Sequence, residues 1–168
     1  MFVSTNEFDK FGYDDCLVKS IRETASGLVL ELEALIVRAR NSQNTNYTDS
    51  YADTTTLVLE KTSIESMIRE GYRRYDANDK LIEEVPDEIA DKDTWKHFFD
   101  KYESVFLVEF SASGHDGHEG QGENTGYEGF MVFEMPAEIG DNPETFEMKV
   151  SFAKAEFSWE RYMNRVQN

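Results

Sequence analysis

Residues 15–40 read DCLVKSIRETASGLVLELEALIVRAR. Leu28, Leu30, Leu32, Ala34 and Ile36 recur at every second position, as they would on a strand with one buried face. Ala25-Ser26-Gly27 stands just before them, and Gly supplies the positive φ that a tight connection needs. Upstream, Asp15 to Glu23 places Leu17 and Ile21 on one face. Leu28, Leu32, Leu35 and Ile36 also sit at helical spacing, and Glu, Leu and Ala are good helix formers. The glycine turn and the strict alternation agree with each other, so the stretch reads as a β-hairpin.

Downstream, residues 41–53 (NSQNTNYTDSYAD) hold almost nothing to bury and read as a long polar loop. TTTLVLEK (54–61) reads as a strand that pairs with 28–38 across that loop. Thr62 or Ser63 is placed to cap a short helix, SIESMIREGY, with Glu65 in its first turn and Gly71 as its stop. Residues 72–92 are polar and charged, with Pro86 breaking any helix. Asp93-Thr94 can cap a second helix, in which Trp95, Phe98, Phe99 and Tyr102 recur as a face packed on a sheet.

SVFLVEFSA (104–112) has apolar residues on both faces and reads as a central strand. GHDGHEGQGENTG (114–126) holds five glycines and reads as a mobile loop between hairpin strands. YEGFMVFEM (127–135) is the return strand, stopped by Pro136. In 146–162 the apolar set moves from Phe146, Met148, Val150 and Phe152 to Ala153, Ala155, Phe157 and Trp159. A β-bulge produces such a change of parity. The expected fold is α+β and mostly antiparallel β: about six strands in hairpins, with one or two helices between residues 62 and 103. The 168 residues are expected to form a single domain, 1–168.

Acidic residues outnumber basic ones 34 to 17, giving a net charge of −17. That charge opposes nucleic acid and anionic membrane surfaces, both of which demand Lys and Arg. It favours a basic protein partner or a divalent cation. Cys16 is the only cysteine, so no internal disulfide forms. No signal peptide and no membrane-spanning apolar run is visible, and the expected location is cytoplasmic.

Catalytic patterns are sparse, and a non-enzymatic role is the expectation. Cys16 lies in an apparent strand, where a free Cys behaves as a small buried hydrophobe. His115, Asp116, His118 and Glu119 form the best metal candidate, since imidazole and carboxylate suit first-row divalent ions. The loop carries no supporting Cys pair, so no resident cofactor is expected. A pocket around Trp95 and His97 is a second candidate for a small molecule. Asp76-Ala77-Asn78-Asp79 with Glu83 and Glu84 echoes a calcium loop, but Lys80 and Leu81 occupy its fifth and sixth positions. Tyr72-Arg73-Arg74-Tyr75 is a basic and aromatic patch of the kind enriched at interface hot spots. The opposing reading is that both Arg side chains pair with nearby carboxylates.

The run FGYDDCLVKSIRETASGLVLELE (11–33) resembles the opening of short, uncharacterised bacterial β-rich proteins. In those, an aromatic–x–His/Asp–Asp element starts a strand, and a polar turn leads into a Leu-rich one. Asp14 stands here where a His is common. Some of those proteins carry names borrowed from lantibiotic biosynthesis, and others lie near toxin–immunity loci. The resemblance implies an accessory or immunity-like protein and carries over no active site. Two functions follow: a binding module that captures a basic protein, or a metal-dependent or small-molecule-binding enzyme built on the His115–Glu119 loop.

Overall fold

Gly27 takes φ +143°, and the hairpin around it forms as the alternation requires. The computed structural model describes residues 1–90, 95–100, 102, 104–115, 126–136 and 144–166. In chain order its strands are β1 (Phe2–Thr5), β2 (Phe11–Gly12), β3 (Leu17–Thr24), β4 (Gly27–Glu33), β5 (Ile36–Val37), β6 (Ser50–Ala52), β7 (Thr55–Glu60) and β8 (Ser63–Arg69). There follow β9 (Tyr72–Tyr75), β10 (Leu81–Val85), β11 (Glu88–Ala90), β12 (Phe106–His115), β13 (Gly126–Met135), β14 (Glu144–Phe152), β15 (Lys154–Trp159) and β16 (Tyr162–Arg165). One 3-10 turn (Phe8–Lys10) and one short α-helix, α1 (Trp95–Asp100), complete the described elements. None of the described helices is long and apolar enough to cross a membrane.

The expected α+β class is therefore corrected: the described chain is almost entirely antiparallel β. Ser63–Arg69 is a strand, not a helix, paired to β14 on one edge and β11 on the other. A helix of that length is marginal alone, whereas two ladders satisfy the same backbone groups. The polar stretch 72–92 holds three strands, β9 to β11. Strands this short and exposed carry no apolar alternation for a sequence reading to find. The second expected helix is present as α1, and its Trp95 is buried. Phe99 packs edge-on against Trp95 and Phe133, so this stripe is a packing face.

β4 pairs with β7 as expected, with Leu28, Leu30 and Leu32 opposite Leu59, Leu57 and Thr55. Its alternation stops earlier than the sequence implied. Ala34 takes φ 60°, and Leu35, Ile36 and Val37 are then all buried. Ile36–Val37 then joins β2 and β6 in a separate sheet, of order β16-β6-β5-β2. The loop 41–53 is not wholly solvated either. It contains β6, and Asn41, Ser50 and Ala52 are buried in it.

The large sheet has the order β1-β15-β7-β4-β3-β12-β13-β14-β8-β11. Only Lys61-Thr62 separates β7 from β8, and only Ala153 separates β14 from β15. The segments 55–69 and 144–159 are thus two bent strands that pair on both sides of their bends. Lys154 lies opposite Glu60 on one side and Ser151 opposite Ser63 on the other. At the bend Ala153 N donates to Glu60 O at 2.8 Å. The path β15-β7-β4-β3-β12-β13-β14 consequently begins and ends on one polypeptide strand, and the sheet closes into a barrel. The change of parity at Ala153 is this corner; the irregularity of the β14–β8 ladder lies earlier, opposite Lys149 and Val150, where Glu65 of β8 is the extra residue.

The interior is aromatic. Phe8 packs edge-on against Phe110, Tyr127 and Phe152, and Phe11 stacks on Phe157 with centroids 4.2 Å apart. The seam between β3 and β12 is thin. It consists of the Leu17–Phe106 pair and bonds from Val18 N to Val105 O (2.8 Å) and Leu107 N to Cys16 O (2.9 Å).

A Cβ on Gly27 would lie 1.9 Å from Leu59 O, inside the β4–β7 pairing. Gly27→Ala is therefore expected to cost about 2–4 kcal/mol in denaturant unfolding. Gly126→Ala, whose nearest neighbour would be Phe152 O at 3.7 Å, is the control and should change stability by under about 0.5 kcal/mol.

Candidate functional site

Cross-strand partners share a face of a sheet, so the register of β12, β13, β14, β8 and β11 sorts their side chains into rows. One row is Phe110, Met131, Met148, Met67 and Ala90; its first four members are buried and form the barrel lining. The next row, one residue along each strand, points outward: Glu109, Val132, Glu147, Ile68 and Ile89. Ile89 is 76% exposed there. A neighbouring outward row adds Phe130, 40% exposed, beside Lys149. On the other side Glu134 lies opposite Phe106.

The result is a face on which Glu109 and Glu134 lie at the β12–β13 side and Glu147 stands between the apolar Val132 and Ile68, and none of these three carboxylates is ion-paired to a described residue. Lys149 is the one cation among these described rows, and its charge is taken up by Glu65 at 3.0 Å and Glu128 at 3.8 Å. The Glu65 hydrogen bond, with the Glu128 carboxylate, raises the Lys149 pKa, so it stays charged and internally matched. No motif in the sequence marks this face. Its signal is the outward half of strands whose inward half is apolar, and it emerges only once register is known.

Tyr72, Arg73, Arg74 and Tyr75 form β9, in an exposed hairpin with β10. Arg73 lies 2.7 Å from Glu84 and Arg74 3.2 Å from Glu83 across the two strands. Both guanidinium groups are therefore matched within the hairpin. The same pairs, with the turn, dispose of the calcium-like pattern. Asp76 Oδ1 accepts Asn78 N at 2.8 Å and Lys80 N at 3.0 Å, which makes it a turn former.

Of the expected metal set, His115 is the last residue of β12, opposite Gly126. Its side chain, and Asp116, His118 and Glu119 entirely, lie outside the described residues, as does the side chain of His97. Among the described residues no three of His, Cys, Asp and Glu gather to hold a metal ion. Cys16 is fully buried, and burial pushes its thiol up to about 12. A groove of about 420 Å³ lies between the end of β4 and β6 and β16. Its Asp53 is already engaged, accepting Glu160 N at 3.1 Å with Arg161 at 3.7 Å.

Glu7 is the one strongly perturbed carboxylate among the described groups. Burial pushes it up, but bonds from Lys10, Ser4 and Ser42 outweigh that and hold it at about 2. Ser4 Oγ and Ser42 Oγ each donate to Oε2 at 2.7 Å, and Lys10 Nζ donates to Oε1 at 2.5 Å. Asn41 Nδ2 in turn donates to Ser4 Oγ at 3.1 Å. This hub ties the N-terminal segment, which carries Phe8 and Phe11 into the barrel, to the loop after β5. It is structural.

No protein-family model, curated protein or solved structure matches the chain.

The Glu7 value lies below the ordinary 4.5, so its stabilisation is complete above that pH and fades as pH falls toward about 2. Glu7→Gln should cost about 1–2 kcal/mol at pH 7, allowing for solvent screening. Urea unfolding of both proteins from pH 7 to 2.5 should show the difference shrinking below pH 4.5. Cys16 should resist an aromatic disulfide reagent in the folded protein and react only at the rate of unfolding.

Proposed function

We propose that the chain is a non-enzymatic protein-binding module that captures a basic protein through the outer face of β12, β13, β14, β8 and β11. The observation that carries this is the outward face on which Phe130, Val132, Ile68 and Ile89 are interspersed with Glu109, Glu134 and Glu147. Sheet pairing on a filled barrel fixes these side chains before any partner arrives, which lowers the ordering cost of association. These carboxylates, ion-paired to no described residue, favour a partner surface that combines cationic and apolar side chains. The chain's net charge of −17 speeds encounter with such a surface. An immunity-like role in a bacterial cytoplasm, with a basic toxin as the partner, is the specific form of the proposal. It agrees with the resemblance of residues 11–33.

The test is a pull-down of the purified chain from its own cell lysate at low and moderate salt, followed by binding measurements with the purified hit. A single basic protein is expected, with an association rate that falls as salt rises. Phe130→Ser with Glu147→Lys should weaken it by about 100-fold or more while leaving thermal unfolding almost unchanged. Retention of full affinity by that variant would move the site elsewhere. The absence of any basic partner would remove the reading itself.

A further inference from the structure

We infer that the β9–β10 hairpin is a self-association arm, through which two copies of this chain pack about a two-fold axis. The inference is independent of the acidic face and its partner. Four features of the arm carry it.

Among the described residues β9 and β10 form a sheet of their own, hydrogen-bonded to neither of the other sheets. No residue from Tyr72 to Val85 is buried. A solitary two-stranded ribbon is marginal in water, and three or more strands with a covered face are needed for independent stability. Two arms together supply four.

The arm also presents apolar surface at its outer end. Tyr75 is 51% exposed, Leu81 43% and Ile82 55%, close together because Tyr75 lies opposite Leu81. Register shifts between Leu81 and Glu83, which leaves Ile82 as an extra residue pushed out of the ladder.

Charge then selects the occupant. Residues 72–85 hold three cations and four carboxylates, so the arm is near neutral in a chain of net −17. Its Arg73–Glu84 and Arg74–Glu83 pairs leave no excess of either sign to attract a strongly charged protein. A ribbon whose two Arg are each matched by a Glu across its own strands can meet a copy of itself at one edge without a net charge to oppose the contact.

The base of the arm is fixed. Gly71 N donates to Asp87 Oδ1 at 2.8 Å, and a Cβ on Gly71 would lie 2.0 Å from Val85 O. Close backbone approach there, with Pro86 following, sets the direction in which the arm leaves the barrel. A fixed exit angle suits a closed two-fold contact better than an open chain of copies.

Sedimentation of the full chain across a wide concentration range, at low and at high salt, tests the inference. A monomer–dimer equilibrium is expected, and added salt should strengthen it, because screening relieves repulsion between two acidic bodies. Salt should weaken capture of a basic partner, so the two associations move in opposite directions. Tyr75→Ser with Ile82→Lys should weaken the dimer by about tenfold or more with no change in thermal unfolding, since neither residue is buried. Hydrogen exchange of residues 72–85 should slow as wild-type concentration rises and stay fast in the variant. A chain that remains monomeric at high salt and high concentration overturns the inference. So does a dimer that both substitutions leave intact.

Discussion

Two bent strands, 55–69 and 144–159, keep pairing with each other through their corners, and everything else in the molecule depends on that. Each strand changes direction within one or two residues, yet the ladder is carried across by Ala153 N to Glu60 O at 2.8 Å. On one side of the corner the pair borders β4, on the other β13. The sheet can then return to its own starting strand. Closure removes most open edges and encloses a volume that only large side chains can fill. The high aromatic content, 12 Phe among 168 residues, meets that demand. Phe8, Phe110, Phe152 and Phe157 form one network of ring contacts inside it.

Closure also dictates where function can lie. The interior is packed, the cysteine is buried in it, and the strongest carboxylate hub, Glu7, is consumed in holding the N-terminal segment in place. Among the described residues, the outside of the barrel is the surface these contacts leave uncommitted. There the register turns a run of alternating residues into an organised surface, with Ile89 and Phe130 among glutamates that no described residue ion-pairs. A rigid face of this kind and a projecting, near-neutral ribbon do different physical work. In the proposed roles the face would act through long-range charge and preset apolar side chains, and the ribbon would gain by adding strands where charge does not oppose it.

The hairpin at Gly27, the pairing of β4 with β7, the return of β13 after β12 and the buried fate of Cys16 were all legible in the residues. Each rests on local rules: a glycine where φ must be positive, and apolar groups at period two. The misreadings share a cause as well. In SIESMIRE a modest helical preference was outweighed by two ladders contributed by residues about 20 and 80 positions away. β9 to β11 were hidden because exposed strands have no apolar face to betray them. The acidic face escaped because Glu109, Val132, Glu147, Ile68 and Ile89 are scattered over 80 residues and become neighbours only through register.

By itself, then, the sequence determined the hairpin at Gly27, the sign of the surface and the material of the core, because turn chemistry, charge and hydrophobicity belong to residues one at a time. The tertiary structure alone decided the closure of the sheet, the location of the corners and the grouping of outward side chains. Those follow from long-range hydrogen-bond partnership, which depends on pairs of residues far apart in the chain and leaves no local pattern to read.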